Sequence, residues 1–142
     1  MKIAFICIHN SCRSQIAEAL CKKICKELGL NLEIYSAGSD ISKGINPKAI
    51  RILKQKYALD ISAYKVKGFD SLPKDLDIVV GMGCGVACPN IGARFHFDFG
   101  LEDPSDFDDE KFVKVVESLE LKLKRAFRKN HTRRALNAWF YR

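Results

Sequence analysis

The segment Cys7-Ile8-His9-Asn10-Ser11-Cys12-Arg13-Ser14 lies between two stretches of different periodicity, and that placement constrains the fold more than any other feature. Before and into it, Lys2 to Ile8 is a largely apolar run rich in branched side chains, the pattern of a strand buried on both faces of a parallel sheet. After it, Ile16, Leu20 and Ile24 recur four apart with Ala17 and Leu28 beside them, and Gly29 stands where a helix would terminate. Strand, loop and helix therefore follow one another without a gap. The loop falls at the carboxyl end of the strand, where α/β sheets bind ligands.

The rest of the chain repeats this alternation. Asn31 to Ala37 reads as a second strand. Asn46-Pro47 offers a capping side chain and a proline at the first helical position, opening a helix whose core face is predicted as Ile50, Leu53 and Tyr57. Leu76 to Gly81 is an apolar strand running into Gly81-Met82-Gly83-Cys84-Gly85, and Arg94 to Phe99 is a candidate fourth strand. A last helix is predicted from about Asp108 to Lys129, with Phe112, Val115, Val116, Leu119, Leu123 and Phe127 as its apolar stripe and Asp108, Asp109 and Glu110 at its start. The expected architecture is α/β, a single domain over residues 1–129 with a four-stranded parallel doubly wound sheet and helices on both faces. Residues 130–142 read as a basic C-terminal tail.

Chemistry concentrates in the first loop. Five residues separate Cys7 from Arg13, enough for the backbone amides of Ile8, His9, Asn10, Ser11, Cys12 and Arg13 to turn inward as a nest, while the helix that follows adds unpaired amides and its dipole. Such a ring holds a tetrahedral dianion. Arg13 adds a planar fork matched to two of the anion's oxygens, and the positive surroundings favour the thiolate of Cys7, which can attack the anion's central atom. Ser14 is placed to donate a further hydrogen bond to that sulfur. A bare C-x5-R spacing arises by chance and would leave Cys7 an ordinary strand cysteine; the strand and helix flanks argue for the loop.

Twenty-four Lys and Arg against 17 Asp and Glu leave a formal charge of +7, which attracts anions without naming one. The basic residues gather in 122–142 and carry no recognisable nucleic-acid module, so no nucleic-acid partner is expected. The opening apolar run is too short for a membrane span or a secretory core, so the chain is expected to be cytoplasmic with no membrane partner. Six cysteines in that setting argue for reduced thiols doing chemistry or binding metal over a static disulfide framework.

Residues 7–20, CIHNSCRSQIAEAL, resemble the phosphate-binding loop and first helix of the thioredoxin-coupled arsenate reductases, which share the low-molecular-weight tyrosine phosphatase fold. Tyr35-Ser36-Ala37-Gly38, Gly44-Ile45-Asn46-Pro47-Lys48-Ala49, Asp60-Ile61-Ser62, the Cys84 and Cys88 segment and Asp103-Pro104 resemble family landmarks in the same order, over about residues 1–128. Gln15 is similar to the reductase branch, where the phosphatase branch usually carries proline. The resemblance implies an oxyanion substrate (arsenate, with phosphate or sulfate as loop ligands), thioredoxin as electron donor and no cofactor. Cys7 would attack arsenate, Cys84 would attack Cys7 to release arsenite, Cys88 would attack Cys84, and thioredoxin would reduce the resulting bond. Asp103 would act as the general acid.

Rival readings are a zinc site, since Cys21 and Cys25 offer a second C-x3-C spacing, and simple burial of the thiols; neither is preferred, and no metal is expected. The loop between Cys84 and Cys88 is shorter than in the best-known members, and Gly81, Gly83 and Gly85 supply backbone freedom there. The alternative function is hydrolysis of phosphotyrosine through a cysteinyl-phosphate intermediate. Against it, Asp103-Pro104 is followed by Ser105, Asp106 and Phe107 where the phosphatase branch typically carries tyrosines. Some reductases of this kind hold potassium with residues matching Asn10, Glu18 and Ser36 plus an aspartate that aligns with Lys67; the lysine predicts activity indifferent to potassium.

Overall fold

A computed structural model describes residues 1–83 and 91–128. Among the described residues the order is β1 (Lys2–Cys7), α1 (Arg13–Leu28), β2 (Glu33–Gly38), α2 (Pro47–Tyr57), a short 3-10 turn (Phe69–Ser71), β3 (Leu76–Gly81), β4 (Ala93–Asp98) and α3 (Asp109–Arg128). All strand pairs are parallel and the sheet order is β2-β1-β3-β4. The chain thus leaves β1 toward one edge and returns to β1's other side for β3. That reversal opens a crevice at the carboxyl end of β1, and the register there sets Cys7 beside Gly38 and Ile6 beside Gly81.

The sheet separates two apolar clusters. Ile3, Phe5, Ile78 and Val80 face the larger one, where Ile16, Leu20 and Ile24 of α1 meet Phe112, Val116, Leu119, Leu123 and Phe127 of α3 and Leu53 of α2. Ala4, Ile6, Leu76 and Val79 face the other, covered by Phe69 and Leu72 around the 3-10 turn. Among the described residues no helix is long and apolar enough to cross a membrane.

Local signals place the helix ends. Gly29 takes the left-handed conformation (φ 68°) and its amide closes on the Cys25 and Lys26 carbonyls, ending α1. Asn46 accepts from the Lys48 amide at 2.8 Å ahead of Pro47, opening α2. The buried face of α2 differs from expectation: Ala49, Ile52 and Leu53 are buried, while Ile50 and Tyr57 lie half-buried at its margins. The helix is turned by about one position, and Tyr57 at its margin donates its hydroxyl to Glu120 of α3 at 3.1 Å. In α3, Val115 is likewise marginal and Ala126 joins the core. The expected Cys84–Cys88 pair and the tail 130–142 lie outside the described residues.

Candidate active site

β1 ends on Cys7 and α1 begins on Arg13, so the intervening loop is held at both ends by rigid elements. Its carbonyls are tied outward: Ile8 O accepts from the Asp40 amide and Ser11 O from the Asn46 amide, both at 2.8 Å, and Cys12 O takes the Ile16 amide at 3.0 Å as the first bond of α1. In a trans peptide the N–H points opposite to the C=O. The amides of His9, Cys12 and Arg13 are therefore turned toward the loop's interior, at the positive end of α1. Three of the six amides predicted to line an anion nest are thus oriented for one.

Asn10 organises the loop. It adopts the left-handed conformation (φ 51°), which asparagine tolerates better than most residues. Its backbone amide points at Cys7 Sγ, 3.2 Å away; its side-chain amide donates to Ser14 Oγ at 2.8 Å; its Oδ1 accepts from Gln15 Nε2 at 2.8 Å and from the Lys67 amide at 2.9 Å. Because Asn10 already occupies a lone pair of Ser14 Oγ, the serine's own proton is free to point at Cys7 Sγ, 2.9 Å away. The Asn10 amide thus donates to the sulfur, and the Ser14 hydroxyl lies within hydrogen-bond reach of it. Gln15 also donates to Lys65 O at 3.0 Å, so it locks Asn10 to the segment preceding Lys67. A proline at position 15 could supply neither bond.

Gly38, at the end of β2, lies against the back of the loop. A Cβ there would meet Asn10 N at 2.6 Å and Ile8 O at 2.7 Å, so no larger residue fits without moving the nest.

Arg13 is buried, and its Nη1 donates to Met82 O at 2.6 Å and Leu101 O at 2.8 Å. These carbonyls lie far away in sequence: Met82 follows β3 and Leu101 opens the segment that carries Asp103. The guanidinium therefore joins the anion loop to two neighbouring segments through a single nitrogen. Gly83, with φ 98°, completes the junction, since a Cβ would collide with the Leu101 carbonyl oxygen and come within 3.2 Å of Arg13 Nη1.

Asp103 lies close enough to His9, Cys12 and Arg13 for its charge to be felt at each. Partial burial works to raise its pKa, but hydrogen bonds from the Ser105 hydroxyl (2.6 Å) and amide (3.1 Å), with the charge of Arg13, outweigh it and hold the carboxyl below the usual range. A general acid at this position would have to be protonated, and a bound dianion, by repelling the carboxylate, would favour that form. Ser105→Ala removes a hydrogen bond to the charged form and is expected to raise the Asp103 pKa. The alkaline limb of the kcat/KM profile should then move to higher pH; an unmoved or acid-shifted limb would exclude Asp103 as the acid. Cys12 is a different kind of thiol. Burial, then the nearby Asp103 and Cys7, push its pKa up to about 12, so it stays neutral beside the reactive sulfur.

Cys7, Arg13, Ser14, Asp103 and the loop residues Ile8 to Cys12 are thus gathered at one edge of the sheet. Cys84 and Cys88 fall outside the described residues. The carbonyls of Met82 and Leu101, and the roles of Ser105 and Gly83, were not legible beforehand; a backbone acceptor carries no residue signature.

Beside the loop, Glu18 is buried and accepts from Ser36 Oγ and Lys22 Nζ, each at 2.8 Å, with Lys67 Nζ 3.6 Å away. A monovalent cation does not fit this group of residues, because it would share the carboxylate with a tethered ammonium and be repelled by it.

The chain matches the family described as low molecular weight phosphotyrosine protein phosphatase over residues 2–136. It is 36% identical over 126 residues to an arsenate reductase of Staphylococcus xylosus, covering 84% of this chain and 90% of that one. Among solved structures it is similar to a low molecular weight protein tyrosine phosphatase from T. tengcongensis (27% identity, TM-score 0.80, covering 92% and 99% of the two chains). It is also similar to a thioredoxin-dependent arsenate reductase of Corynebacterium glutamicum (30% identity, TM-score 0.65, covering 90% and 60%).

Proposed function

The chain belongs to the low molecular weight phosphotyrosine protein phosphatase family, and on that premise we propose that it reduces arsenate to arsenite, with thioredoxin restoring its thiols in the cytoplasm. The observation that carries the proposal is the junction at Arg13. The same guanidinium that faces the anion loop is bonded to Met82 O and packed against Gly83, the residue directly before Cys84 in sequence.

The chemistry balances as follows. Cys7 thiolate attacks arsenic, and a hydroxide leaves as water on accepting the Asp103 proton. Cys84 thiolate then attacks Cys7 Sγ; the sulfur–arsenic electron pair passes to arsenic, which falls from the pentavalent to the trivalent state and departs as arsenite. Cys88 attacks Cys84 and frees Cys7, and a thioredoxin dithiol reduces the Cys84–Cys88 bond. Two electrons enter and two leave. The nest and Arg13 stabilise the charge that builds on the arsenate oxygens.

A second reading has its own support. The nest, the Cys7 thiolate and Asp103 are sufficient for phosphate ester hydrolysis, which needs no second thiol, and the fold is shared with a tyrosine phosphatase. The decisive experiment supplies thioredoxin, its reductase and NADPH and follows NADPH loss on adding arsenate, beside an aryl phosphate assay. Arsenate-dependent NADPH oxidation is expected; hydrolysis without it would assign the chain to the phosphatases.

Lys67 gives an independent expectation. With its ammonium held near Glu18, exchanging potassium chloride for sodium chloride at fixed ionic strength should leave turnover unchanged, and a several-fold preference for potassium would show that Lys67 vacates the position.

A further inference from the structure

Cys21 and Cys25 lie one turn apart on α1, both buried, with their sulfurs 4.0 Å from each other. The mechanism above uses neither. Residues four apart on a helix have Cβ atoms about 5–6 Å apart, whereas a disulfide requires about 3.5–4.5 Å. The pair therefore cannot close on itself without breaking α1.

A shared atom is another matter. With bonds of about 2.3 Å, sulfurs 4.0 Å apart subtend about 120° at an atom between them. A closure of a few tenths of an ångström, within reach of χ1 adjustments, brings that angle to the pyramidal geometry of trivalent arsenic. A linear two-coordinate ion would need about 4.6 Å between the sulfurs. Zinc requires four ligands, and among the described residues no group of three or more His, Cys, Asp and Glu side chains could hold a metal ion. The surroundings, with Leu20 and Ile24 in the same cluster, are apolar and suit an uncharged adduct.

We infer that Cys21 and Cys25 form a second arsenic site, a dithiol clamp for trivalent arsenic separate from the oxyanion loop. Each thiol displaces one hydroxyl from arsenic, which leaves as water with the thiol's proton. Arsenic remains trivalent, no electrons move, and the product is neutral. Burial pushes the Cys21 thiol well up, so both sulfurs meet the ligand as neutral thiols whose protons leave with the displaced hydroxyls. The clamp rests on sulfur geometry alone; where the reductase reading also holds, its ligand is what the active site releases.

The test treats the reduced full-length protein to equilibrium with phenylarsine oxide, removes singly bonded adducts with glutathione, and measures intact mass. Cys21→Ala and Cys25→Ala should each carry one phenylarsenic fewer than the parent, while Cys84→Ser with Cys88→Ser should keep that equivalent. Trypsin cuts after Lys22 and Lys23, between the two thiols, so the parent digest should contain residues 14–22 joined to residues 24–26 through one phenylarsenic. Unchanged stoichiometry in the alanine variants, or the two peptides found only apart, overturns the clamp. Arsenate turnover is not read in this experiment, so its failure and that of the reductase reading remain distinguishable.

Discussion

Cys84→Ser is expected to lower thioredoxin-coupled arsenate turnover at least about a thousandfold while leaving aryl phosphate hydrolysis within about twofold of the parent. The asymmetry follows from electron counting. Hydrolysis passes a phosphoryl group from Cys7 to water and needs one sulfur. Reduction must deliver two electrons to arsenic, and Cys7 can supply them only if a second thiolate takes its place as the bonding partner. Serine cannot form that sulfur–sulfur bond, so the Cys7–arsenate adduct can only revert. Cys88→Ser should differ in kind: one equivalent of arsenite forms in a single turnover, after which the Cys7–Cys84 disulfide accumulates and steady turnover stops. Quenched single-turnover measurement of arsenite separates the two variants. Full arsenate turnover in Cys84→Ser would remove the relay and leave the phosphatase reading.

Elements announced by neighbouring residues were legible in the sequence. The apolar run of β1, the Gly29 stop and the Asn46-Pro47 start each act within a turn of where they stand, and the structure has all three in place. The face of α2 was not: in an 11-residue helix the sets Ile50/Leu53/Tyr57 and Ala49/Ile52/Leu53 differ by a small rotation, which local periodicity does not resolve and packing against the rest of the core does. The site divides in the same way. Cys7, Arg13 and Ser14 belong to one continuous segment, so their proximity is nearly a consequence of chain connectivity. The bonds from Arg13 to Met82 and Leu101 span 69 and 88 positions and end on carbonyls, for which any residue would serve. Ser105 falls between: its place just after Asp103-Pro104 is plain in the sequence, but its hold on the charge state of the carboxyl shows only in the structure.

Arg13→Lys should cost about 10²–10³-fold in kcat/KM for arsenate and for aryl phosphate alike, the loss typical of a donor aimed at transition-state charge. The charge is retained, so the loss measures geometry. A guanidinium holds Met82 O and Leu101 O through one nitrogen and still presents a fork to two oxygens of the anion; an ammonium has a single nitrogen and must choose. If it turns to the carbonyls the anion loses its clamp, and if it turns to the anion two buried carbonyls lose their donor. Gly83→Ala separates these two contributions. Its added methyl collides with Leu101 O and disturbs the junction while Arg13 and the loop stay chemically intact. If the junction exists to orient the guanidinium, Gly83→Ala should reproduce a substantial part of the Arg13→Lys loss with both substrates, chiefly in kcat. Parent-like kinetics in Gly83→Ala, with an unchanged melting temperature, would show that Arg13 is positioned by the loop alone and that the bonds to Met82 and Leu101 serve only to satisfy its buried charge.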